Sequence, residues 1–263
     1  MLARARILAL TEDSGSQGHP TLQKILKEAL KLVVEGVDLN PVRIKIEPLP
    51  ENDRARLGLR GNSWKEEPPT QDTLRLIESI AVRLTEKPAG FVVFHFDTDS
   101  VWSERDTDPK SNRRKFETLI RGRVRRRLMG EGASPRNPRA PPPQTSEEAD
   151  AALSRLLVFS PCYSMESWLY QATSELRPLC QNEHDSNEHT QLIEEWTTDR
   201  TRLDEVHQPK VVMKKCVADH HNETLAKSFP AEDVWLAERS FHESVERLRA
   251  CTALVEALSH PVS

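Results

Sequence analysis

The chain has 263 residues, 37% hydrophobic and 30% charged, enough apolar content for one large domain or an ordinary domain with an elaborated second part. No apolar run approaches the roughly 18 residues a membrane helix needs. The first such run stops at Thr11-Glu12-Asp13, too short for a secretory leader, so a cytoplasmic protein without membrane contact is expected. A net charge of −4 does not by itself point to nucleic acid, and four cysteines with no Cys-x-x-Cys pair predict reduced thiols and no disulfide frame.

Residues 4–11 form a short apolar run without alternation, the pattern of a buried strand, and residues 12–18 read as a loop. Leu22, Ile25, Leu26, Ala29, Leu30 and Val33 repeat at helical spacing, with Gly36 as the stop. Val42, Ile44 and Ile46 alternate with charged residues and predict a half-buried strand. Residues 50–69 read as an irregular excursion, 70–86 as a helix, and Gly90–Phe96 as a central strand running into Asp97. A helix carrying Phe116, Leu119, Ile120, Val124 and Leu128 on one face follows. Residues 130–146, rich in proline, read as a flexible insert. Leu156–Ser160 predicts another short buried strand, and Pro161 opens a turn into a helix bearing Glu166, Trp168 and Leu169. Beyond residue 178 the chain reads as helical and polar, closing with one helix from about Ala231 to Leu258.

Alternating strands and helices predict an α/β fold with a mainly parallel sheet. Ligands of such sheets sit beyond the C-terminal strand ends. Glu12 follows the first strand, Asp97 and Asp99 the central one, and Glu166 the last, so four acids are expected on that edge. Carboxylates brought together there suit one or two hard cations, Mg²⁺ or Mn²⁺, which serve phosphodiester cleavage by activating water and neutralising charge. Taken singly, Asp-x-Asp is a common solvated turn, Glu12 could cap a helix, and Glu166 could lie on an exposed helix face.

Three segments carry a resemblance to a known family. Leu8-Ala9-Leu10-Thr11-Glu12-Asp13 resembles the glutamate-bearing first motif of Toprim domains, and Val92 to Asp99 their Asp-x-Asp motif. Ser160 to Leu169 is similar to the Ile-Glu-x-Trp-Leu helix of small stand-alone Toprim proteins, the RloB-like and OLD-nuclease-related group, with Met165 in place of the isoleucine. The stretch from Ser240 to Leu248 resembles their last helix. The resemblance implies a Toprim-like Rossmannoid core over residues 1–175 with a helical C-terminal extension over 176–263. It also implies a metal-dependent nuclease acting on DNA or RNA, an antiphage role and an ATPase partner. Glu12, Asp97, Asp99 and Glu166 would be its catalytic, metal-binding residues. A non-catalytic Toprim-like subunit of an ATPase complex is the alternative from a different class.

Other constellations compete. Asp219-His220-His221 resembles the motif of DHH-type phosphoesterases, although no strand is expected to end there. Cys180-x-x-x-His184 and Cys216-x-x-x-His220 would offer four ligands to a structural Zn²⁺, but separate histidines and buried thiols are the plainer reading. Eight Lys or Arg and one Glu between Arg113 and Arg127 make a local basic field. Arg123, Arg125 and Arg126 are its candidate contacts to a nucleic-acid backbone, against the commoner explanation of a solvated helix face.

Overall fold

A computed structural model describes residues 5–13, 17–37, 39–40, 44–87, 90–108, 110–131, 141–183 and 187–259. It is a mixed α/β fold with a small, wholly parallel sheet and a helix-rich region. Four strands, β1 (Ala5–Thr11), β2 (Ile44–Glu47), β3 (Gly90–His95) and β4 (Leu156–Val158), lie in the order β2-β1-β3-β4. Ile7 pairs with Ile46 on one side and Phe91 on the other, and Val92 pairs with Leu156.

Side chains alternate across a strand, and here alternation feeds two cores. Ala5, Ile7, Ala9, Phe91 and Val93 face α1 (Gly18–Val33), whose Leu22, Ile25, Leu26, Ala29 and Leu30 recur at helical spacing and are buried. Leu8, Leu10, Val92 and Phe94 face α2 (Gln71–Thr85), through Leu76, Ile77 and Ile80. All six residues of β3 are buried, as expected of a parallel strand covered on both faces. Thr70 caps α2 by accepting the N–H of Thr73. The strand that follows starts on a glycine because a Cβ at Gly90 would fall 1.9 Å from the Arg83 carbonyl oxygen.

The order of the strands locates the functional edge. From β1 the chain passes to β2 on one side and then returns to β3 on the other, so the connections diverge between β1 and β3. In open α/β sheets a crevice forms at that point, outside the carboxyl ends of the strands. Glu12 and Asp97 stand on either side of it.

The basic segment is a continuous helical rod. Regular turns α3 (Asn112–Lys115) and α4 (Gly122–Leu128) flank a π-helical stretch, Phe116–Arg121. A capped helix, α5 (Ser146–Leu153), with a Thr145/Glu148 capping box, precedes β4. Residues 132–140 of the expected insert lie outside the described residues; beyond them, Pro141 is buried and Gln144 donates its N–H to the Leu128 carbonyl.

From α6 (Glu166–Leu169) onward the chain is helical: α7 (Thr173–Glu183), α8 (Asn187–Thr198), α9 (Pro209–Val212), α10 (Asn222–Lys227), α11 (Ala231–Leu236), α12 (Ser240–Arg249) and α13 (Thr252–Ser259). Trp196, Phe241, Val245 and Leu254 share one buried cluster with Ile7 and Leu26, so this region packs on the α1 face of the sheet.

Two expectations are corrected. The single closing helix is three helices: the chain breaks at Glu238 (φ 55°) and Arg239, where Ser240 meets buried partners, and again at Ala250 and Cys251. The Ser240 N–H donates to Asp204 Oδ2 at 2.8 Å and its hydroxyl accepts the Trp168 indole N–H at 2.8 Å. The thiols are not all reduced: Cys180 and Cys216 form a disulfide, whereas Cys162 and Cys251 are free and buried. No helix among the described residues is long and apolar enough to cross a membrane.

Candidate active site

Glu12, the first residue after β1, is held by both oxygens. Oε1 accepts the backbone N–H of Asp97 at 2.6 Å, and Oε2 accepts the indole N–H of Trp64 at 3.1 Å. Lys65 Nζ lies 3.5 Å from the same Oε2. Trp64 is wholly buried against Phe94 and Phe96, so the irregular excursion brings both its tryptophan and its lysine to the strand end.

The turns after β3 and β4 are knitted together. Asp99 donates its N–H to the Tyr163 carbonyl at 2.9 Å, and Tyr163 donates its own to the Ser100 carbonyl at 2.7 Å. Both Asp99 (φ 56°) and Tyr163 (φ 53°) are left-handed, a conformation that L-residues avoid and that an aspartate tolerates better than a tyrosine. Asp97 Oδ1 accepts the Met165 N–H at 3.1 Å, and the Thr98 hydroxyl donates to the Pro161 carbonyl at 3.0 Å. Asn112, at the start of α3, donates to the Asp97 carbonyl at 2.7 Å and to Asp99 Oδ2 at 2.9 Å. Glu166 opens α6, nearly buried, and accepts the Ser164 hydroxyl at 2.7 Å.

Glu12, Asp97, Asp99 and Glu166 thus line one cavity of about 440 Å³, which Lys210 and Asp219 also line. Asp97 carries the electrostatic consequence. Burial, and then the charges of Glu12, Glu166 and Asp99, hold its carboxyl well above the usual carboxylate range, although a third of its side chain still faces the cavity. His95 behind it is fully buried, which pushes its imidazole down to about 3; Nδ1 meets the Thr11 hydroxyl at 3.1 Å. With His95 neutral, its 3.9 Å separation from Asp97 is not an ion pair. Across the cavity, Lys210 pairs with Asp219 at 2.6 Å, and that bond raises its pKa, with Glu166 and Asp13 adding to the effect. Asp219, His220 and His221 form an exposed 3₁₀ turn with no strand before it, so of the DHH-like motif only the aspartate lines the cavity.

The expected Mg²⁺ or Mn²⁺ centre is corrected. Among the described residues, the group of three metal-ligating side chains with donor atoms within 4.8 Å of one another is Cys180, His189 and Cys216, a sulfur and imidazole set typical of zinc sites, its two sulfurs here joined as a disulfide. The four acids are not among such groups, and Trp64, Met165, Asn112 and Ser164 each engage a different one of them. In the sequence, zinc ligation by two Cys-x-x-x-His units is the alternative to the plainer reading of separate histidines and buried thiols. The structure instead brings His189 to the cysteines; His184 lies outside the described residues.

The basic residues divide. Arg123 is nearly buried, donating to the Glu66 carbonyl and lying 3.5 Å from Glu67. Arg125 is paired with Asp150 at 2.8 Å, and Arg126 is exposed. A larger cavity of about 920 Å³ instead gathers Arg105, Arg113, Arg114, Arg121 and Arg247, with Phe96 in its wall. Phe96 directly precedes Asp97, so the arginine-lined and acid-lined cavities flank the same turn. Arg105, Arg113 and Arg247 converge on Glu243, and the buried Arg113 Nε and Arg247 Nη1 have no hydrogen-bond acceptor among the described residues. Sequence reasoning missed Trp64, Lys65, Lys210 and Arg247, which lie far along the chain from the acids they accompany, and also Arg105 and Asn112, which lie nearer but in a stretch without a recognisable pattern.

Against family models, curated proteins and solved structures, the chain gives no match.

Proposed function

We propose that the chain is a nuclease with a Toprim-like core that hydrolyses phosphodiesters of DNA or RNA in the acidic cavity. The observation that carries this reading is Asp97: a carboxyl facing the cavity at the switch point of a parallel sheet, its pKa raised well above the ordinary carboxylate range by burial and by three neighbouring acids. A carboxyl whose pKa is raised is better suited to protonate a leaving oxygen than an ordinary carboxylate, and a second carboxylate beside it can orient the attacking water. Glu166 and Asp99 are the candidates for the second role. Glu12, with both oxygens engaged, is a positioning residue for the Asp97 backbone.

A phosphodiester is an anion, and an acid-lined cavity alone would repel it. Lys210 supplies a cation inside the cavity, and the arginines around Phe96 supply a sequence-independent hold on flanking phosphates. The Toprim assignment rests on the order of the motifs, glutamate after β1 and Asp-x-Asp after the neighbouring β3.

The test is cleavage of fluorescently labelled single- and double-stranded DNA and RNA by the wild-type protein and by Asp97→Asn. The variant keeps the oxygen that accepts the Met165 N–H and loses the transferable proton. Its turnover is expected to fall by about 10²–10⁴-fold. Equal cutting by both proteins removes Asp97 from the reaction.

A further inference from the structure

Cys180 lies in α7, His189 in α8 and Cys216 in the turn after α9, and all three side chains are buried. His189 Nδ1 is 3.1 Å from Cys216 Sγ. A disulfide cross-link is complete with two sulfurs and needs no imidazole. A third donor stands beside it, with its ligand atom within 4.8 Å of both sulfurs, so the cross-link and its neighbour together make a three-donor set.

We infer that in the reduced chain Cys180, His189 and Cys216 form a zinc site, and that the disulfide is its metal-free, oxidised form. Two thiolates and one imidazole are soft and borderline donors, a set that selects Zn²⁺ over hard cations. Loading Zn²⁺ onto the two thiols releases two protons, and three protein donors leave the fourth tetrahedral position to water. Oxidation by a peroxide is balanced as follows: the two zinc-bound thiolates give up two electrons and form the S–S bond, Zn²⁺ departs, and hydrogen peroxide takes those electrons with two protons to give two waters.

The site has a place in the fold. Cys216 lies between Lys210 and Asp219, which line the acidic cavity, and it fastens that stretch to α7. Either state of the cluster, zinc or disulfide, pins this stretch against the helical region. The inference stands on the ligand geometry and does not require that the cavity cut phosphodiesters.

The test uses the full chain, reduced with a phosphine, stripped by a chelator and desalted. It is then titrated with Zn²⁺ against a chromophoric chelator and, separately, with Co²⁺ followed by absorption. The expected result is one zinc per chain, a thiolate-to-cobalt charge-transfer band in the near ultraviolet, and the intense visible bands of a tetrahedral site. Hydrogen peroxide should release the zinc as two titratable thiols disappear. In His189→Asn, which leaves both cysteines in place, zinc affinity should fall roughly tenfold or more. A reduced wild type that holds no zinc, a cobalt spectrum without thiolate bands, or unchanged affinity in His189→Asn would each overturn the inference.

Discussion

Glu12 Oε1 accepts the backbone N–H of Asp97 at 2.6 Å, joining the ends of two neighbouring strands across 85 residues of chain. Its other oxygen satisfies the indole N–H of the wholly buried Trp64. The side chain therefore closes the sheet edge while contributing charge to the cavity. Removing it leaves two buried donors without acceptors. A buried donor left unpaired costs about 1–3 kcal/mol, so Glu12→Ala should lose about 2–6 kcal/mol in chemical denaturation. Glu12→Gln retains one acceptor oxygen and should lose less; equal stability of all three proteins would show that these bonds carry no weight.

Asp97 has the opposite effect on stability. Its folded-state pKa lies above the ordinary 3.8, so from that value upward the unfolded chain releases the proton more readily than the native one. Stability contributed by the protonated form is therefore full below 3.8 and is lost as pH rises through the elevated folded pKa. Asp97→Asn removes this titration and should melt at a higher temperature than wild type at pH 8, with the gap narrowing toward pH 4. His95, pushed down to about 3, works in the reverse direction between 6.5 and 3 but is common to both proteins, so the difference isolates Asp97. Calorimetry across this range checks it, and a gap that does not change with pH would contradict the raised pKa.

The arginines divide by how fully their charge is matched. Arg113 and Arg247 line the cavity beside the Asp97 turn and share the one carboxylate of Glu243 with Arg105, whereas Arg125 is paired with Asp150. Replacing Arg113 or Arg247 with Gln should weaken binding to unrelated nucleic-acid sequences alike and reduce the slope of log Kd against log salt by about one per lost phosphate contact. Arg125→Gln should leave the slope unchanged. Fluorescence anisotropy over a salt series separates the two classes, and a slope that moves only with Arg125 would reverse the assignment.

The strands were legible because burial on both faces forces near-continuous apolar runs, as in Val92–Phe96, and the acids were legible because each follows such a run. What surrounds the acids was not. Trp64 and Lys65 sit in an excursion full of Gly, Pro and charge, and only tertiary packing shows that this stretch folds back on β3. Arg123 and Arg125 belong to a conspicuous basic run, yet Glu67 and Asp150, on other elements, neutralise them. The helix break at Ser240 depends on Asp204, 36 residues earlier, and the Cys180–Cys216 cross-link spans a further 36 residues. Local pattern carries no information about such partners. The same limit explains the metal expectation: strand-end register brought the acids to one cavity, but their partners Trp64, Asn112 and Met165 come from elsewhere in the fold and carry no local sequence signal.

The most direct test of the account is the pH–rate profile of phosphodiester cleavage by wild type and Asp97→Asn under single-turnover conditions. If Asp97 donates the proton, the wild-type rate should be highest where its carboxyl is protonated and fall as pH rises through its elevated pKa. The variant should lack that limb and be slower by about 10²–10⁴-fold at the wild-type optimum. A wild-type rate that does not fall with rising pH, a variant that cuts as fast as wild type, or a wild type that cuts no nucleic acid would contradict the assignment of this cavity to phosphodiester hydrolysis.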